Sequence, residues 1–326
     1  MFDFKNKIFN LTSAADFNEL ALEIFQYQYK TNNLYKDFVD MLNIDIYNLE
    51  HYSKIPFLPV DFFKTHKITT GHRKTEKIFL SSGTGKSVQS KHYVTDVNLY
   101  VESFRKAFEY FYGDIKQYSI FALLPSYLEK EGPSLIFMIN DLIKQSKNNG
   151  GFYLDNTSEL IDAINKHVTN EQKLILFGVS YALLDLAEKY TLNISNLIVM
   201  ETGGMKGRRK EIIREELHSV LCNSFGVDTI HSEYGMTELL SQAYSKANGN
   251  FHTPLWMKVL IRDINDPVTI VNHGHSGGIN VSDLANYNSC SFIATQDLGK
   301  LNEDGSFSVL GRFDYSDIRG CSLLIA

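Results

Sequence analysis

The sequence predicts an α/β fold: mainly parallel sheets flanked by helices, closed by a smaller C-terminal β-rich subdomain. Three observations predict it. Between residues 97 and 232, apolar strand-length runs alternate with amphipathic helix-length stretches, the signature of parallel βαβ units. Past residue 255 the strands shorten and turn sequences such as "EDGS" at 303–306 intervene. The chain has 326 residues, 44% of them apolar, enough for a large core. The expected division is 1–255 for a helical lead-in and α/β core, and 256–326 for the β-rich part.

Residues 1–50 read as helical and aromatic-rich. "IPFLPVDFF" (55–63) carries two prolines and reads as an extended lead-in. Ile78-Phe79-Leu80 is a short apolar strand. Val97, Tyr100, Val101, Phe104, Phe108 and Phe111 recur at helical spacing, and a helix over 97–111 runs about 22 Å, enough to cover a strand. Strands are expected at 118–125, 173–178, 196–200 and 227–232, with helices at 134–147, 157–168, 180–190 and 208–223. In open α/β sheets ligands lie beyond the carboxyl ends of the strands. The loops of interest are therefore 81–87, 201–207, 233–238 and 295–299.

Composition excludes several classes. A net charge of −6 supplies no basic field for nucleic acid, and Lys206-Gly207-Arg208-Arg209-Lys210 is a short local run that reads as a solvated helix start. Cys222, Cys290 and Cys321 are odd in number and far apart. They form no disulfide framework or zinc-ligand spacing and suit a reducing cytoplasm. His273-Gly274-His275 has no further ligands beside it and reads as a loop. The N-terminus is too short and too charged for a signal peptide, and no apolar run reaches membrane-spanning length.

"LSSGTGKSV" (80–88) ends like a phosphate-binding P-loop. A Walker-type loop, however, requires glycine where Leu80 stands. What remains is Ser81-Ser82-Gly83-Thr84-Gly85-Lys86, whose glycines, hydroxyls and ammonium still suit phosphate. Three further motifs follow: Glu201-Thr202-Gly203-Gly204-Met205-Lys206, Glu233-Tyr234-Gly235-Met236-Thr237-Glu238, and Thr295-Gln296-Asp297-Leu298-Gly299 with "GRFDYSDIRG" (311–320) behind it.

In this order and spacing the motifs resemble the adenylate-forming superfamily of acyl-CoA synthetases and related ligases, over roughly residues 78–320. "YGMTE" is complete. Gln296 replaces a usual glycine, and Asp317 stands where the hinge motif carries lysine. "IPFLPVDFFKTHKI", "ETGGMKGRR" and "DIRGCSLL" further resemble the acyl-protein synthetases of bacterial bioluminescence, with phenylacetate-CoA ligases next. The resemblance implies ATP and Mg²⁺ as cofactors and a carboxylic, fatty acid as substrate. It implies that Ser81, Ser82, Gly83, Thr84, Gly85 and Lys86 hold the β- and γ-phosphates, and that Thr237 donates to the α-phosphate. Glu238 would hold Mg²⁺, and Asp297 would accept from the ribose hydroxyls. Arg312 would support ribose or phosphate. Gly203 and Gly204 would let the chain pass close to adenine, with Tyr234 stacked on it, and Gly235 would be among the nucleotide-binding residues.

The superfamily's mobile C-terminal domain supplies a lysine to the reaction. This chain ends six residues after Gly320, so the expectation is a chain without that domain, with Lys206, Arg208 or Arg319 as substitute cations. Cys321 follows Arg319-Gly320, and the bioluminescence family carries its acyl group on a cysteine near the C-terminus. A thiolate is a natural acceptor from an acyl-adenylate. The expected activity is ATP-dependent acid activation with transfer to Cys321, for delivery to an acyl-reductase or acyl-carrier partner. The alternatives are a ligase using free coenzyme A and a non-catalytic nucleotide- or acyl-binding subunit.

Overall fold

The computed structural model describes residues 3–313 apart from 82–87, 126–131, 147, 149, 155, 169–172, 195, 205–208 and 210–211. Ser82, Gly83, Thr84, Gly85, Lys86, Lys206, Arg208, Asp317, Arg319 and Cys321 lie outside the described residues.

Three helices open the chain: α1 (Phe4–Phe9), α2 (Ala14–Thr31) and α3 (Asn33–Met41). Ser13 and Asp16 start α2 with a reciprocal capping box, and Asn32 caps α3 on Tyr35 N. Gln28 of α2 is fully buried. Its amide donates to Tyr287 O at 3.1 Å and accepts from Ser291 N at 3.1 Å, fastening these helices to a distant part of the chain.

The segment 55–63 is strand only at β1 (Leu58–Pro59) and then turns into α4 (Phe62–Thr65). β2 (Lys77–Leu80) and β3 (Lys91–Val94) pair antiparallel in a two-stranded hairpin of their own. The apolar run 78–80 thus belongs to that hairpin and not to a parallel sheet. α5 (Val97–Tyr112) is capped by Asp96 and stops at Gly113, where φ is 77°; it buries Leu99, Tyr100, Phe104 and Phe108.

The expected alternation then unfolds: β4 (Tyr118–Leu123), α6 (Ser134–Ser146), β5 (Gly151–Tyr153), α7 (Thr157–Val168), β6 (Lys173–Val179), α8 (Ser180–Lys189), β7 (Leu197–Thr202), α9 (Arg214–Phe225) and β8 (His231–Tyr234). With β9 (Ala243–Ser245) they make a six-stranded sheet in the order β5-β4-β6-β7-β8-β9, parallel except for β9. β4 is buried at every position and β6 at all but Lys173, as in sheets covered on both faces. α9 starts at Arg214 rather than 208, with Glu215 and Glu216 at the positive end of its dipole, and ends where Gly226 turns left-handed at φ 66°. Arg209 does not start that helix; it donates to Glu188 at 2.6 Å and to Asp185, both on α8. β8 starts four residues later than expected, and Tyr234 is its last residue.

The second sheet corrects the expectation of mainly parallel sheets. β10 (Asn250–Phe251), β11 (Met257–Arg262), β12 (Ser276–Asp283), β13 (Phe292–Leu301) and β14 (Phe307–Arg312) run in the order β10-β14-β13-β12-β11, all antiparallel, with β1 alone parallel beside β13. The links from β12 to β13 (284–291) and from β13 to β14 (302–306) are too short for parallel crossovers. The sheet also draws β1 and β10 from before residue 256. Among the described residues, no helix is long and apolar enough to cross a membrane.

Candidate active site

Residues 295–299 form part of β13 rather than a loop after it. Asp297 pairs in register with Arg312 on β14, and facing side chains on neighbouring strands meet. Arg312 Nε accordingly donates to Asp297 Oδ1 at 3.1 Å. Tyr234, ending β8 in the other sheet, donates its hydroxyl to Asp297 Oδ2 at 2.8 Å. Thr295 Oγ1 accepts from Asp297 N at 3.1 Å and donates to Ile279 O at 2.9 Å. Arg262, buried on β11, donates to Thr295 O at 2.6 Å. Asp297 is 7% exposed, whereas the Arg312 side chain is 75% exposed. A buried carboxylate thus carries a guanidinium whose outer face reaches solvent.

The sequence expects adenine stacked on Tyr234. The structure gives that ring two aromatic neighbours, Phe307 at 5.4 Å and Phe251 at 5.9 Å between centroids, and gives its hydroxyl a carboxylate. Burial and the Asp297 charge hold the phenol in its protonated, donating form. In this arrangement Tyr234 orients Asp297.

Residues 235–242 connect β8 to β9 as a turn, not a helix. Glu238 is 5% exposed, and burial raises its carboxyl above the usual range; the Ser90 hydroxyl and the Arg312 charge pull the other way. Ser90 also pairs with Ser81: Ser81 N donates to Ser90 O at 3.1 Å, and Ser90 N to Ser81 Oγ at 2.9 Å. The residue whose hydroxyl lowers the Glu238 carboxyl thus also holds the base of the hydroxyl-rich loop. Thr237 is half-buried, and its carbonyl accepts from His92 Nδ1 at 2.8 Å.

Gly203 and Gly204 follow β7. Gly203 has φ 73° and its carbonyl accepts from Ser180 Oγ at 3.3 Å. Glu201, the acid of this motif, is buried and accepts from His218 Nε2 at 2.8 Å. Gly235 is glycine for a local reason: a Cβ there would lie 2.4 Å from Glu233 Oε1, which folds back over it.

The structure thus brings together Ser81, Tyr234, Glu238, Asp297 and Arg312, with Gly235 and Thr237 on the intervening turn and Gly203 and Gly204 at the end of β7. Sequence reasoning did not single out Ser90, His92, Arg262, Asp283 or Asn286, which hold these residues. Their only signal is chemical, a polar residue, and that signal does not reveal burial.

Glu233 supports a test of the site's foundation. It is buried, accepts from Thr202 Oγ1 at 2.6 Å, and burial raises its carboxyl from 4.5 to about 7. A carboxyl raised in the folded state stabilises fully below the unfolded value and loses that contribution as pH rises through the folded one. Glu233→Gln stays neutral. Its stability relative to the wild type should therefore increase between pH about 4.5 and about 7 and level off above, by roughly 3 kcal/mol at most. Denaturant titrations across that range check it; parallel profiles would contradict it.

No family model matches the sequence, and no curated protein matches it. Solved structures do. The chain is similar to MatB from Rhodopseudomonas palustris with ATP bound, at 14% identity and TM-score 0.57, over 74% of this chain and 49% of that one. It is similar to the O-succinylbenzoate coenzyme A synthetase MenE from Bacillus subtilis in complex with ATP and magnesium ion, at 18% identity and TM-score 0.52, over 73% and 50%. It is also similar to an open conformation of 2-hydroxyisobutyryl-CoA ligase in complex with 2-HIB-AMP and CoA, at 11% identity and TM-score 0.68, over 93% and 71%. The chain spans about half the length of the first two. The fold of this chain is the fold of these nucleotide-bound structures.

Proposed function

We propose that this chain activates a carboxylic acid by joining it to the α-phosphate of ATP, forming an acyl-adenylate and releasing pyrophosphate. The observation that carries this reading is the Tyr234–Asp297–Arg312 cluster together with a buried Glu238 whose carboxyl Arg312 and Ser90 both influence, Ser90 being bonded to Ser81 at the base of the 81–87 loop. The fold is shared with structures solved with ATP, magnesium ion and an acyl-AMP.

The residues fit these ligands. Glu238 is a buried carboxylate, and a cation beside it offsets the cost of burying its charge. Bound Mg²⁺ supplies neutralisation of phosphate charge. Asp297 has lone pairs beyond those used by Tyr234 and Arg312, and in this role accepts from the ribose hydroxyls. Arg312 presents its exposed guanidinium to phosphate or ribose. The backbone at Gly203 and Gly204 lies against adenine. Ser81 through Lys86 hold the outer phosphates, and Thr237 donates to the α-phosphate. Together these groups place two anions for in-line attack.

The acyl group then passes to a thiol. The reading extended from the acyl-protein synthetase resemblance is a fatty acid carried on Cys321 and delivered in the cytoplasm to an acyl-reductase or acyl-carrier partner. Of the other two cysteines, Cys290 is buried and its thiol pushed up to about 12, and burial also raises that of Cys222, so neither is a ready nucleophile. Incubation with ATP, Mg²⁺ and labelled acid, followed by mass spectrometry, should find a hydroxylamine-sensitive acyl group on Cys321. Acylation of added coenzyme A with an unlabelled protein would favour the coenzyme A ligase instead. Acid-dependent exchange of pyrophosphate into ATP tests the activation step itself.

A further inference from the structure

Glu238 stands on a turn of the parallel sheet, yet the groups that fix this turn come from elsewhere in the fold. Asp283, the last residue of β12 in the antiparallel sheet, is fully buried. Its Oδ2 accepts from Leu240 N at 2.8 Å and Ser241 N at 2.9 Å, and its Oδ1 accepts from Ser241 Oγ at 2.6 Å and Ala285 N at 3.2 Å. Asn286, three residues on, donates from Nδ2 to Glu238 O at 2.8 Å. His92 on β3 holds the preceding carbonyl, that of Thr237. The carbonyls of 237 and 238 and the N–H groups of 240 and 241 are thus each held by a buried side chain outside the parallel sheet. The Ser241 hydroxyl further meets Ser103 Oγ of α5 at 3.0 Å and Trp256 Nε1 at 2.9 Å.

A carboxylate that accepts two successive backbone N–H groups fixes the path of the chain there, and its removal strands those donors in a water-free place. We propose that Asp283 is a positioning residue for Glu238: it locks residues 238–241 so that the Glu238 carboxylate is held at the phosphate-facing site before any ligand arrives. Asp283 touches no reacting atom and acts through the turn. The inference rests on the reading of Glu238 given above.

Asp283→Asn keeps volume but turns one acceptor into an amide donor facing N–H groups. Two readouts on the purified full chain decide the matter without turnover. The first is amide hydrogen exchange of the ligand-free protein over residues 236–242, expected to accelerate at least about tenfold in the variant. The second is the gain in ATP affinity on adding Mg²⁺, measured by calorimetry with and without chelator. That gain should shrink about tenfold in Asp283→Asn, while the affinity for ATP in chelator stays within about twofold. Unchanged exchange over 236–242 would overturn the proposal, and so would faster exchange with the full Mg²⁺ gain, which marks a purely structural role. If Asp283→Asn does not fold, Ser241→Ala removes one donor to Asp283 and should shift both readouts in the same direction by a smaller factor; no shift there would overturn the proposal equally. A wild-type protein showing no Mg²⁺ gain would instead overturn the assignment of Glu238 itself, and is recognised because the wild type, not the variant, fails.

Discussion

Glu238→Gln lowers the rate of acyl-adenylate formation about a hundredfold or more, comparable to the loss of one preorganised electrostatic group. The substitution preserves size and leaves the main-chain bonds that hold the turn untouched, so the charge alone is lost. The effect should fall on the rate more than on ATP affinity, because the carboxylate acts where charge develops. The pH profile gives a second signature. Burial raises the Glu238 carboxyl above its usual range, and the active form is the carboxylate. Wild-type activity therefore declines as pH falls through that raised value in the free enzyme, and the glutamine variant, having nothing to titrate there, lacks this limb. Pyrophosphate exchange measured against pH and Mg²⁺ checks both statements. A variant that exchanges at the wild-type rate across Mg²⁺ concentrations would remove the metal from this residue.

Asp297→Ala weakens ATP binding by about 1.5–3 kcal/mol, the range for hydrogen bonds to a charged group, which is roughly ten- to a hundredfold in affinity. Two consequences come together here. The ribose hydroxyls lose their acceptor, and Tyr234, 8% exposed, loses the partner of its hydroxyl. The second effect costs stability as well, so the variant should also melt lower. Asp297→Asn separates the two: its amide oxygen still accepts from Tyr234 or Arg312, restoring much of the stability, while the charge that strengthens the ribose contacts is gone. Calorimetry on all three proteins checks the ordering wild type, Asn, Ala in affinity. Equal ATP affinities with intact folds would take Asp297 out of the site.

Much of the parallel sheet was legible because its signals are local and strong. The continuous apolar runs at β4 and β6 and the helical stripe of Val97, Tyr100, Phe104 and Phe108 each state their period directly. β5 escaped because Gly151-Phe152-Tyr153 is too short to show one. The start of α9 was placed early because a basic run beside Gly207 carries no capping signal, whereas its end at Gly226 follows from the left-handed backbone there. The antiparallel sheet was read only as short strands, since the pairing of Asp297 with Arg312 depends on register across β13 and β14.

At the site, "YGMTE" and Thr295-Gln296-Asp297 named residues that the fold brings together. What holds them was opaque. "NVSDLANYNSC" (280–290) is dense in Asn, Ser and Asp and reads as a surface loop, yet Asn280, Ser282, Asp283, Asn286, Asn288 and Ser289 are all buried. Distant partners meet several of them: Asp283 accepts from the turn at 240–241, Asn280 Oδ1 from Arg262, Asn286 donates to Glu238 O and Ser289 to Ile68 O. Gln296 shows the same limit. Standing where the resemblance has glycine, its amide donates to Asp61 Oδ2 at 2.5 Å, linking the proline-rich lead-in to the strand that carries Asp297.

Acid activation is tested by exchange of labelled pyrophosphate into ATP. The protein is incubated with ATP, Mg²⁺, labelled pyrophosphate and, one at a time, carboxylic acids from short to long aliphatic chains and aromatic acids. Label is expected in ATP only when Mg²⁺ and a suitable acid are both present, with the signal lost in Glu238→Gln. A wild-type protein that binds ATP yet exchanges no label with any acid would contradict it and leave a nucleotide-binding subunit without the activating reaction.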